Sequence, residues 1–107
     1  MALKIGRNVN TNDEASVGSV TTISGANASV ASAVNSSRIY FGIWVQRRDA
    51  WLRFQPASDD PSERKGIKIL RNNYYELPTD NIYTGEISIL ADGAAPSQSA
   101  EISITEY

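Results

Sequence analysis

From Val20 onward, hydrophobic and polar residues alternate with a period of two, the repeat that puts successive side chains on opposite faces of a strand. Val20-Thr21-Thr22-Ile23-Ser24 is a β-branched run closed by Gly25, and Ala28 to Val34 alternates small apolar residues with serine before the turn cluster Asn35-Ser36-Ser37. Arg38 to Gln46 carries the strongest strand pattern. It predicts Ile39, Phe41, Ile43 and Val45 on one face and Arg38, Tyr40, Gly42, Trp44 and Gln46 on the other. After Arg47-Arg48-Asp49-Ala50, the run Trp51 to Gln55 predicts a second strand, with Leu52 and Phe54 sharing a face. The four-residue interruption suits a hairpin between the two.

Pro56 to Lys65 holds two prolines and adjacent acids, which suit a loop with at most one helical turn over residues 60–65. Strands are expected again at Gly66 to Leu70, Tyr74 to Leu77, Ile82 to Leu90 and Glu101 to Thr105. Glu86-Ile87-Ser88-Ile89 is echoed by Glu101-Ile102-Ser103-Ile104 across a polar loop, the pattern of two antiparallel neighbours in a hairpin. No segment carries a helical stripe. About seven or eight short strands separated by turn signals predict an all-β fold, an antiparallel β-sandwich of jelly-roll or Ig-like type or a small barrel.

Residues 1–19 break this pattern. They are rich in Asn, Thr and Ser, with Leu3, Ile5, Val9 and Val17 as isolated aliphatic positions. All four are odd-numbered, so an extended arm would present them on one side, as pegs for a neighbouring sheet edge. The expected organisation is therefore an arm over 1–19 and a sandwich over 20–107.

Composition narrows the chemistry. The chain has no histidine and no cysteine, which removes imidazole and thiol catalysis, disulfides, and the usual zinc and iron–sulfur ligands. Ten basic residues against twelve acidic ones leave a net charge of −2, unlike the basic excess of a nucleic-acid binder. The expectation is a protein that is not an enzyme, with no cofactor, no metal, no nucleic acid and no membrane partner. No secretory h-region or membrane-length apolar run is visible in the sequence.

Asp59, Asp60 and Glu63 are the densest acidic cluster, but adjacent acids in a proline-rich loop diverge into solvent and lack calcium-loop spacing. Tyr40, Trp44, Trp51 and Arg53 are aromatic and arginine positions of the type enriched at protein interfaces. The same aromatics could instead stack on sugar rings or be buried. The consecutive Tyr74 and Tyr75 must point to opposite faces, one to the core and one to the rim.

The order of segments resembles that of small virion proteins of tailed bacteriophages, in which N-x-x-R opens a strand and YTG-x-I begins the last hairpin. Here these are Asn35-Ser36-Ser37-Arg38 and Tyr83-Thr84-Gly85-Glu86-Ile87, followed by Ile102-Ser103-Ile104-Thr105-Glu106. The likeness spans about residues 19–107 and departs from the pattern at the acidic stretch Ser58 to Lys65. It implies a capsid decoration (cement) protein, or a head-fibre or tail component, located in the virion. The implied partners are the major capsid protein or other virion subunits, with self-assembly as a homo-oligomer, first as a trimer. The alternative is a carbohydrate- or receptor-binding module of a fibre or tail.

Overall fold

The computed structural model describes residues 21–93 and 98–107, together with the backbone of Ser16 and Val17. The described residues form nine strands and no helix: β1 (Ser16–Val17), β2 (Thr21–Ser24), β3 (Ser29–Ser32), β4 (Phe41–Gln46), β5 (Ala50–Arg53), β6 (Ile67–Ile69), β7 (Asn73–Glu76), β8 (Ile87–Ala91) and β9 (Ser99–Glu106). They make two antiparallel sheets. One runs β1-β9-β4-β7, with β2 pairing β9 beside β1, and the other runs β3-β8-β5-β6. No helix long and apolar enough to cross a membrane is present among the described residues.

The two sheets share one apolar core. Phe41, Ile43 and Val45 of β4 meet Ala50 and Leu52 of β5 and Ile87, Ile89 and Ala91 of β8, all fully buried, with Ile23, Ala100 and Ile102 closing the cluster. The predicted faces of β4 therefore hold for Phe41, Ile43 and Val45. Ile39 departs from them: it lies before the strand, where its amide bonds the Tyr107 carbonyl, and its side chain is exposed.

Both expected hairpins are replaced by crossings between sheets. β4 pairs β7 and β9, whereas β5 pairs β6 and β8, so the Arg47–Asp49 connection carries the chain from one sheet to the other. The echoed Ile-Ser-Ile segments likewise fall in different sheets, β8 beside β3 and β5, and β9 beside β1, β2 and β4. A short polar loop fits either arrangement, and burial of two apolar faces against each other decides for the crossing. β8 is also shorter than the expected Ile82 to Leu90, beginning only at Ile87 after a turn in which Asn81 has φ 64°. Phe54 falls beyond the end of β5 and is partly exposed, stacked edge-on against Tyr83 with ring centroids 5.3 Å apart.

The acidic stretch between β5 and β6 forms hydrogen-bonded turns (Asp59 N–H to Pro56 O, Glu63 N–H to Asp60 O) without a helical turn. It is tied to the molecule by its backbone. Arg53, expected at an interface, is 1% exposed on the outer side of the second sheet. Its guanidinium donates to the Asp60 and Glu63 carbonyls (2.6 and 3.1 Å), to the Pro56 and Asp59 carbonyls (3.2 and 2.7 Å), and to Ser88 Oγ (3.0 Å). The chain then re-enters β6 at Gly66, whose φ of 98° and contact with the Leu52 carbonyl leave no place for a Cβ.

Two outcomes check this arrangement. Phe41→Ala should cost about 3–5 kcal/mol in urea unfolding, as a large core truncation. Arg53→Met keeps the volume but leaves the loop carbonyls without their donor. It should cost on the order of 3 kcal/mol and expose residues 56–65 to limited proteolysis. A variant as protease-resistant as the wild type would show that the loop is held by something else.

Candidate functional site

The expected set Tyr40, Trp44, Trp51 and Arg53 does not form one surface. Trp51 lies on β5 in the second sheet, where its indole N–H donates to Asp92 (3.2 Å) and the Lys68 ammonium sits 5.7 Å from its ring. Lys68 also pairs with Asp92 (3.3 Å), so this tryptophan is enclosed by its own polar ring. These contacts hold the Asp92 carboxyl below its ordinary value, chiefly through the Trp51 hydrogen bond and then through Lys68. Arg53 is buried beneath the acidic loop, as described above. Of the arm positions, Leu3, Ile5 and Val9 lie outside the described residues, and Val17 is described by its backbone alone, paired with Thr105 of the same chain.

Tyr40 and Trp44 remain, and the register supplies their company. Trp44 is opposite Tyr74 on β7 and Ser103 on β9, and Gly42 is opposite Glu76 and Thr105, so all of these side-chain positions share the outer face of the first sheet. The Tyr74 ring lies over Gly42. A Cβ there would overlap it and approach Tyr40 Oη at 2.6 Å. The Tyr40 and Tyr74 hydroxyls are hydrogen-bonded to each other, and the Tyr40 ring stacks on Tyr107 at 5.2 Å. Two tyrosines thus crowd one glycine, with Tyr107 stacked on Tyr40 and Trp44 the next outward position of β4; Trp44, Tyr74 and Tyr107 are each at least 37% exposed.

A polar rim fixes one side of this patch. The Trp44 indole N–H donates to Gln46 (3.2 Å), Gln46 donates to Glu101 (2.9 Å), and Arg47 donates to the same carboxylate (3.4 Å). The opposite side is β7, the edge strand of the sheet. The paired tyrosines divide as the sequence predicts, Tyr74 outward and Tyr75 toward the core. Glu76 and Tyr107 are members that strand alternation alone could not find, because their membership depends on which strands pair. Among the described residues no three acidic side chains gather as a metal-binding group. The patch can stack, pack and hydrogen-bond.

A groove opens elsewhere on the molecule, beside the connection from β7 to β8. It has a volume of about 400 Å³ and is lined by Phe54, Tyr75, Leu77, Pro78, Asp80, Asn81 and Tyr83. Tyr83 donates its hydroxyl proton to the Glu86 carbonyl (3.1 Å), which holds its ring in place.

Burial first, then the hydrogen bonds to Tyr74 and Glu76, raises the Tyr40 phenol well above its ordinary value of 10.0. A raised folded-state value means that the stabilisation is complete below pH ~10 and is lost as the pH climbs above it. In a spectrophotometric titration, Tyr40→Phe should therefore leave the number of tyrosines ionised by pH ~11.5 unchanged. It should also flatten the loss of stability above pH ~10. A variant that removes one tyrosinate from the normal titration would show that Tyr40 ionises freely.

Comparison of the chain with family models, with curated proteins and with solved structures finds no match in any of the three.

Proposed function

We propose that this chain is a β-sandwich protein with a structural, non-catalytic role in the virion of a tailed bacteriophage, binding the capsid surface as a decoration protein. The observation that carries the binding reading is the aromatic patch around Gly42. Tyr, Trp and Arg positions with a hydrogen-bonded rim have the composition of a protein–protein hot spot rather than of ordinary surface. Its border on the β7 edge favours a protein partner, because an edge strand offers unpaired backbone groups beside the rings. The capsid setting follows from the resemblance of the segment order around Asn35–Arg38 and Tyr83–Ile87 to small virion proteins. A homo-oligomer, first a trimer, is the form in which the patch would act.

Sedimentation velocity and co-sedimentation with capsids of the phage that encodes the chain test this reading. The wild type should self-associate at micromolar concentration and pellet with capsids. The Trp44→Ala, Tyr74→Ala double variant should lose about tenfold or more in affinity, since hot-spot truncations cost ~2 kcal/mol or more, while keeping its unfolding midpoint within a few degrees. A wild type that stays monomeric and leaves capsids unbound overturns it.

A further inference from the structure

The groove beside the β7–β8 connection differs in chemistry from the aromatic patch, and nothing in the docking reading uses it. Its wall is formed by Phe54 and Tyr83, edge to face at 5.3 Å, with Tyr75, Leu77 and Pro78 completing the apolar surface. Besides the Tyr83 hydroxyl, three polar side chains belong to this lining: those of Tyr75, Asp80 and Asn81. None of the three has a side-chain hydrogen-bond partner among the described residues, whereas the hydroxyl of Tyr83 in the same lining donates to the Glu86 carbonyl. Asn81 is held in the left-handed region, φ 64°, at the tip of the turn that carries Asp80.

We infer that this groove is a binding site for a neutral sugar ring, taken as a terminal residue or as one unit of a glycan. A pyranose has an apolar C–H face that stacks on an aromatic wall and an equatorial rim of hydroxyls that both donate and accept. Asp80 can accept from two hydroxyls, Asn81 can donate and accept, and the Tyr75 hydroxyl can do either, so the three groups match that rim. A purely apolar side chain would bury the Asp80 carboxylate unpaired, a costly arrangement. An anionic ligand would meet Asp80 with no cationic side chain in the lining. Phe54 and Tyr83 meet edge to face, their planes 68° apart, and so make no pair of parallel ring faces to enclose a quaternary ammonium. The volume of about 400 Å³ lies within the range of small-molecule sites and accommodates one ring with part of a second.

The test is amide-shift mapping of the full ¹⁵N-labelled chain with cellobiose, maltose and lactose, and with tetramethylammonium chloride as the cation control, each to about 50 mM. At least one disaccharide should bind with Kd of ~1–20 mM and shift the backbone of residues 75–83 together with the Asn81 side-chain amide. Asp80→Ala and Tyr75→Phe should each weaken that binding about fivefold or more. Both variants should keep the wild-type unfolding midpoint, since Asp80 is exposed and the phenyl ring preserves the packing of Tyr75. They should also sediment as the wild type does, which separates this site from the aromatic patch. Silence with all three disaccharides, shifts confined to residues 40–46, binding indifferent to both substitutions, or a response to the cation alone would each overturn the proposal.

Discussion

The guanidinium of Arg53 is the interaction on which the arrangement of the second sheet depends. It is buried with no carboxylate partner among the described residues, and its charge is met by four backbone carbonyls and one serine hydroxyl. A buried cation is tolerated only when its donors are satisfied, so the loop that supplies those carbonyls is obliged to fold over the sheet. That cover explains why Ser88 of β8, which points away from the core beside Arg53, is as fully buried as Ile87 and Ile89, which point into it. The acidic side chains of the loop stay outside, where Lys65 pairs with Asp60 and Glu63.

The same device recurs at the other connections. Arg38 donates to Glu106 (2.8 Å), to Ser32, and to the carbonyls of Ala33, Tyr83 and Gly85, binding the β3–β4 and β7–β8 connections to the end of β9. Arg64 donates to the Gly25 and Gly93 carbonyls, joining the acidic loop to two further turns. With no cysteine in the chain, inter-loop arginines do here what disulfides do in many small β domains. The groove proposed as a sugar site lies beside the loop that Arg38 holds, so its lining is positioned by this network rather than by a strand alone.

The two outer faces therefore have different fates. The second sheet is covered by its own loop and by the ring of charges around Trp51. Among the described residues the outer face of the first sheet has no such cover, and Tyr74 and Tyr40 crowd over Gly42, where a larger residue would push their rings away. The division also accounts for the different exposure of the two tryptophans, which sit on strands adjacent in sequence but in different sheets.

The all-strand content, the loop between β5 and β6 and the inward face of Phe41, Ile43 and Val45 follow from the sequence, because alternation and turn chemistry act over a few residues, whereas the turn before β8 at residues 81–86 reads as strand. The opposite faces of Tyr74 and Tyr75 follow for the same reason. Strand pairing does not. The loop after Gln46 and the loop after Asp92 each read as a hairpin turn, and only burial of Val45 and Ile102 against Leu52 and Ile89 makes the chain cross between sheets instead. Arginine burial was equally hidden, since Arg38 and Arg53 look in sequence like solvent-facing partners of Tyr40 and Trp51. Their donors are satisfied by carbonyls contributed from distant turns, and a backbone carbonyl leaves no mark in the residue types. The aromatic patch was half legible for this reason: Tyr40 and Trp44 stand out by type, while Tyr74, Glu76 and Tyr107 join them only once the register of β4 with β7 and β9 is set.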